Sequence, residues 1–263
     1  MSRFKPAQSG EAPFILGLSG PSRSGKTYSA LRIAMGMVDG KVEDIFLGDT
    51  ENGRAKQYVD RFGNFMHCNL EPPFKYSRYL ELISDAVSEG AKIVIADSVS
   101  HAHEGVGGML DQHDEELDRM AGNDWNKHNK MKFTAWIKPK AEMNKFIQAI
   151  IRLPVPVIFC FRAKEKTRMV TGKGGKQEPI NIGLRAICSD ELNYEMSSML
   201  MLPENARGTP DLDHTGGGLR EPFDKFIKPG VQLNEKLGKE FNEWIANNPQ
   251  TCLLYTSPSP RDS

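Results

Sequence analysis

The eight residues Gly20-Pro21-Ser22-Arg23-Ser24-Gly25-Lys26-Thr27 fit the pattern G-x-x-x-x-G-K-[ST] at every fixed position. That spacing serves one geometry. The glycines let backbone N–H groups curl around an anion, and the N-terminus of a following helix adds its partial positive charge. The lysine and the hydroxyl reach the same point from the first helical turn. A loop of this kind must leave a strand and enter a helix. Phe14-Ile15-Leu16-Gly17-Leu18 supplies a short apolar strand before it. Gly25 to Val38 is apolar almost all round, as a helix buried against a sheet should be.

The rest of the chain extends the alternation. Asp44 to Asp49 reads as a strand, Tyr76 to Ser88 has helical spacing, and Ile93-Val94-Ile95-Ala96 is a continuous apolar strand suited to cover on both faces. Pro139 to Arg152 reads as a helix with proline in its first turn, and Val155 to Phe161 as another buried strand. Tyr194 to Leu202 reads as a later strand, and Leu233 to Ile245 as an amphipathic helix. Strands alternating with helices predict an α/β fold with a mostly parallel central sheet flanked by helices, in three layers. Two stretches break the alternation: 101–132, polar and glycine-containing, is expected to be an insertion or lid, and 163–181, basic and glycine-rich, a mobile loop.

Lys plus Arg and Asp plus Glu each number 34, so no global field attracts nucleic acid, and any such site has to come from local clustering. None of the four cysteines forms a C-x-x-C pair, which argues against a zinc knuckle. The polar first residues hold no apolar signal core, and no run approaches membrane-spanning length; a cytoplasmic protein with no membrane partner is the expectation. Residues 1–12 read as a flexible N-terminal segment. Composition changes abruptly near Asn247-Asn248-Pro249. From Cys252 the chain resembles one reading frame of a sequencing-library adapter, which would make 252–263 a non-native tail.

Residues Gly20 to Thr27, with Tyr28 after them, are the candidates for holding a triphosphate. Lys26 would face the β- and γ-phosphates, and the Thr27 hydroxyl would coordinate Mg²⁺. A second metal carboxylate is expected on a neighbouring strand, and Asp97, ending the apolar run at 93–96, occupies such a place. Hydrolysis also needs a base or positioner for water. Glu51 and Glu104 compete for that role.

Asp49-Thr50-Glu51 is similar to the Asp-Ala-Glu of RecA-type recombinase ATPases, whose glutamate activates water, and Asp97-Ser98-Val99 resembles their Asp-Ser-Val. The fuller set also resembles phage-encoded AAA-family, RecA-like ATPases associated with single-strand annealing. That set comprises Gly-Leu-Ser-Gly-Pro-Ser before Ser-Gly-Lys-Thr, Asp-Thr-Glu-Asn-Gly-Arg at 49–54, Asp-Ser-x-Ser-His at 97–101 and a strand ending in Arg162. The resemblance runs from about Pro13 to Ile245 and implies one RecA-like ATPase domain over 13–250, using ATP and Mg²⁺. It also implies Glu51 as base, with Lys26 catalytic, and a homo-oligomer; Arg162, near the position of RecA's glutamine switch, is either a γ-phosphate sensor or the start of the basic loop. Single-stranded DNA, an annealing protein or a single-strand binding protein are the partners it suggests.

The basic residues after that strand, Lys164, Lys166, Arg168, Lys173 and Lys176, are the candidates for contacting single-stranded DNA. Trp125, Phe133 and Trp136 are expected to pack rather than to form a surface. Two other functions fit the same phosphate loop: a small-molecule kinase, which has no need of Glu51, and a nucleotide-switched binding factor with little turnover.

Overall fold

The computed structural model describes residues 14–171, 175–213, 221 and 223–246. In chain order the elements are β1 (Ile15–Gly20), α1 (Lys26–Met37), β2 (Ile45–Asp49), α2 (Val59–Phe62), β3 (Met66–Asn69), α3 (Tyr76–Ser88), β4 (Ile93–Asp97) and α4 (Ser100–Glu104). There follow α5 (Met109–Ala121), α6 (Trp125–Met131), α7 (Ile137–Ile150), β5 (Val157–Thr171), β6 (Gln177–Ala186), α8 (Asp190–Tyr194), β7 (Ser198–Met201) and α9 (Glu235–Ala246). The sheet has the order β3-β2-β4-β5-β1-β7, and each neighbouring pair along it is parallel.

Two-sided cover explains why these strands carry so few polar residues. On β4, Ile93 and Ile95 join the apolar cluster of α1 and α9, whereas Val94 and Ala96 join that of α3 and α7. β5 divides in the same way: Ile158 and Cys160 face one layer, and Val157, Phe159 and Phe161 the other. The result is a mixed α/β fold with a mostly parallel central sheet flanked by helices, consistent with a RecA-like architecture.

No residue of α1 is exposed, as its composition requires. Against it α9 buries Leu237 and Phe241, and Phe241 meets Phe14 at 4.9 Å between ring centroids. The two helices cross at Gly36 and Gly238, where a Cβ on Gly238 would collide with the Ile33 carbonyl oxygen. A bidentate pair closes the same junction, Arg32 Nε donating to Glu235 Oε1 at 2.9 Å and Arg32 Nη2 to Oε2 at 2.6 Å.

Two expectations are corrected. Most of the described residues of 163–181 are strand rather than loop. The distal part of β5 continues past the parallel sheet and pairs antiparallel with β6, from Ala163 opposite Ala186 to Thr171 opposite Gln177, with an irregularity between Glu165 and Thr167. The distal part of β5 is exposed and mostly polar, so it shows no strand alternation; β6 alternates weakly through Ile180, Ile182 and Leu184 and is half-buried only over its second half. The strand expected over 194–202 shortens to β7, because Tyr194 ends α8. The 101–132 stretch is helical, comprising α4, α5 and α6. Residues 1–12 and 252–263, and Lys173, lie outside the described residues. No helix among the described residues is long and apolar enough to cross a membrane.

Candidate active site

The loop between β1 and α1 forms at the carboxyl edge of the sheet. Gly25, which caps α1, has φ of 93°, a left-handed conformation that glycine adopts without strain. A Cβ there would also meet Gly208 N at 3.1 Å, because the segment after β7 packs against this loop. Arg23 is left-handed as well, with φ of 66°. Lys26 folds over the loop, its Nζ donating to the carbonyl oxygens of Gly20 at 2.9 Å and Pro21 at 2.8 Å. Burial lowers the Lys26 pKa, against the raising influence of Asp97 and Glu51.

β4 brings Asp97 to the same place. The Thr27 hydroxyl donates to Asp97 Oδ2 across seventy residues of sequence. Burial pushes the Asp97 carboxyl up to about 6, although the Thr27 hydrogen bond and the Lys26 cation both pull it down. The donor set is hard oxygen, which suits Mg²⁺. Among the described residues no group of three His, Cys, Asp or Glu side chains could hold a metal by itself. Mg²⁺ commonly takes one or two protein oxygens and completes its shell with phosphate oxygens and water. Thr27 and Asp97 fit that division.

β2 delivers the loop that carries Glu51. Asp49 shapes it: Oδ1 accepts from Glu51 N at 2.6 Å, and Oδ2 accepts from Ala55 N at 2.8 Å. Glu51 is gripped from two sides. Its Oε1 accepts from Arg162 Nη2 at 2.7 Å and Nε at 3.2 Å, while Oε2 accepts from Arg54 Nη1 at 2.9 Å. Burial pushes the Glu51 carboxyl up, but the two guanidinium groups outweigh it and hold the pKa below the ordinary carboxylate range.

Arg162 reaches this position because β5 lies between β1 and β4, opposite Gly20 in the register. Its backbone N–H donates to Ser100 Oγ at 2.9 Å, anchoring it to the start of α4. The loops after β2 and β4 are tied as well. Thr50 N donates to the Asp97 carbonyl at 2.8 Å, Ser98 N donates to Thr50 Oγ1 at 2.9 Å, and that hydroxyl lies 2.6 Å from His101 Nδ1. Tyr79 from α3 donates to the Ser98 carbonyl at 2.9 Å. Thr50, His101 and Tyr79 carry no sequence signal for this role, since only the strand order joins them.

The resulting cleft has a volume of about 730 Å³. Pro21, Ser22, Arg23, Gly25, Lys26 and Thr27 line one wall, and Asp97, Glu51, Arg54 and Arg162 approach from the neighbouring strands. Three residues expected at the ligand stand back from it. Gly20 and Ser24 are buried behind the loop. The Tyr28 ring packs on Phe62 at 5.2 Å and Tyr58 at 5.7 Å, and Tyr58 lines the cleft instead. Arg54 and Tyr58 are among the lining residues that motif reasoning did not assign to the site, with Asp49, Ala55, Gln57, Ala163 and Ile187. Glu104 does not line the cleft; its Oε2 accepts from Lys164 Nζ at 2.8 Å.

Of the DNA candidates, Lys164, Lys166 and Arg168 lie on the distal part of β5 and Lys176 immediately before β6, and all four are exposed. Compared with known proteins, the chain matches no curated one. The profile of a family described as AAA domain does match, over residues 13–218, and that span contains every residue of the cleft. The chain therefore belongs to the AAA domain family of P-loop NTPases.

Proposed function

We propose that this protein binds ATP with Mg²⁺ in the cleft at the carboxyl edge of the sheet and hydrolyses it. The observation that carries the reading is the meeting, in one cleft, of the Thr27–Asp97 pair, the Lys26 cation and the clamped Glu51. In this reading the backbone from Pro21 to Thr27 cradles the phosphates, and Lys26 gives up its two carbonyl partners for β- and γ-phosphate oxygens. Thr27 and Asp97 hold Mg²⁺, which when bound offsets the negative charge of the phosphate oxygens.

Glu51 positions the attacking water and takes its proton. Held by two guanidinium groups it is a weak base, so turnover requires at least one of them to leave. Arg162 is the one placed to do so. Turning from Glu51 to the γ-phosphoryl oxygens releases the carboxylate and supplies positive charge where negative charge grows. Glu104 is the weaker candidate, because it is paired with Lys164 away from the cleft.

The second proposed ligand is single-stranded DNA, in the recombination or annealing setting that the family resemblance suggests. Its support is the cluster of exposed cations on the β5–β6 ribbon, in a chain whose net charge is zero. The decisive test of the nucleotide site is Lys26→Ala in calorimetry with ATP and Mg²⁺. Tight binding should be lost, and unchanged affinity would overturn the reading. Phosphate release stimulated by single-stranded DNA would separate an ATPase from a kinase, which would instead need a phosphate acceptor such as a nucleoside monophosphate.

A further inference from the structure

α6 and the residues after it present an unusual surface. Trp125 is 75% exposed and Phe133 is 85% exposed, whereas Trp136, three residues on, stacks on His113 at 4.1 Å. Packing, the expected role for all three aromatics, therefore holds only for Trp136. The two exposed rings lie among cations: Lys127, Lys130 and Lys132 are exposed, and none forms an ion pair within the described residues. Two acids lie close by: Asp124 caps α6, its carboxylate accepting from Asn126 N and Lys127 N, and Asp118 of α5 lies 3.4 Å from His128 Nε2. The Trp125 ring runs nearly parallel to that of His128, with 7° between the planes.

We infer that this face is a binding site for single-stranded nucleic acid, with Trp125 and Phe133 as stacking platforms and Lys130 and Lys132 as phosphate contacts; Lys127, two residues after Trp125, points to the opposite side of the helix. Charge complementarity selects the occupant. Cores of protein–protein interfaces are depleted in lysine, whereas a single strand offers both a π-face and an anionic backbone at each nucleotide. The chain stays in the right-handed helical region through Lys132 and Phe133, so the two backbone positions are separated by about 12 Å along the axis at 1.5 Å per residue and by about 80° around it. That is room for two separately stacked bases. The position in the fold fits as well. The helical segment leaves the carboxyl end of β4 and the basic ribbon extends the carboxyl end of β5, and these strands are neighbours. The Lys164–Glu104 ion pair ties the root of the ribbon to α4. The inference shares its ligand class with the proposed ribbon site but rests on different residues, so the two can fail separately.

The test is fluorescence anisotropy of a labelled oligothymidylate titrated with the full chain at several salt concentrations. Trp125→Ala with Phe133→Ala should weaken binding by about tenfold or more while leaving the salt slope unchanged, because stacking releases no counterions. Trp125→Phe should keep most of the affinity. Replacing Lys130 and Lys132 by alanine should flatten the slope of log K against log salt by about 1.4, whereas Lys127→Ala, on the opposite side of the helix, should change it little. All the changed side chains are exposed, so melting temperatures should stay at the wild-type value and exclude misfolding. Wild-type affinity in the Trp125/Phe133 variant at every salt, with binding lost on neutralising the ribbon, would overturn this inference and leave the ribbon reading standing. A change in oligomeric state without a change in strand affinity would also overturn it, assigning the face to a second copy of the chain. A wild-type protein that binds no single strand would sink both readings and leave the ATP site untouched.

Discussion

Replacing Gly238 with alanine sets two physical effects against each other, and the structure says which wins. Gly238 lies inside α9, where alanine is intrinsically favoured over glycine by about 1 kcal/mol. On propensity alone the variant gains stability. The added methyl, however, would point into α1, overlapping the Ile33 carbonyl oxygen and lying 2.9 Å from Gly36 Cα. Both neighbours are backbone, so no rotamer change relieves the contact and the helices must separate. Overpacking a tight contact costs about 1–3 kcal/mol, and a backbone obstacle belongs at the upper end. The net loss should be about 2 kcal/mol, which for a domain of this size lowers the melting temperature by about 4–8 °C. Thermal unfolding followed by circular dichroism measures it. Lys239→Ala, one residue on and exposed, is the control and should shift stability by no more than about 0.5 kcal/mol. A Gly238→Ala protein that melts at or above the wild-type temperature would refute the close crossing of α1 and α9.

Two further outcomes follow from charge. Burial raises the hydroxyl pKa of Tyr76 and Tyr79 well above the ordinary value, so above pH 10 the unfolded chain loses these protons while the folded chain keeps them. Stability is then lost as pH rises, by about 1.4 kcal/mol per pH unit for each tyrosine; comparing urea midpoints of wild type and Tyr76→Phe between pH 10 and 11 should show one tyrosine's share removed. Neutralising Lys164, Lys166, Arg168 and Lys176 should weaken single-strand binding and reduce the salt slope by about 3, at about 0.7 per contact, with ATP affinity intact; an unaltered slope would clear the ribbon of phosphate contacts.

The buried strands and the helices α1, α3 and α7 are legible in the sequence because two-sided or one-sided burial leaves a plain apolar pattern. Elements whose burial is less regular are not. α5 turns Gln112, His113 and Glu116 inward beside Met109 and Leu117, so its buried face does not look apolar. β3 is a four-residue edge strand, Met66-His67-Cys68-Asn69, too short and too polar to stand out. In the ribbon, the exposed polar part of β5 has no side-chain periodicity and is defined by its backbone pairing with β6, whose own alternation through Ile180, Ile182 and Leu184 begins inside the stretch read as a loop. In the site, the phosphate loop is a local motif and reads directly. The Arg162–Glu51 contact joins residues 111 positions apart, and it exists because β5 is inserted between β1 and β4. No spacing rule carries that information. The same holds for Trp125 and Phe133, whose aromatic character suggests a core but whose positions leave them in solvent.

The central claim, hydrolysis of ATP with Glu51 as the base, is tested most directly by single-turnover hydrolysis with Glu51→Gln, beside a calorimetric measurement of ATP binding. The amide keeps the shape of the side chain and removes its capacity to take a proton. Affinity for ATP with Mg²⁺ should stay close to wild type, because Lys26, Thr27 and Asp97 are unchanged, while the hydrolysis rate falls by about 10²-fold or more. Glu104→Gln, altering a carboxylate paired with Lys164 outside the cleft, should leave the rate near wild type. Hydrolysis undiminished in Glu51→Gln, or abolished in Glu104→Gln alone, would contradict the account.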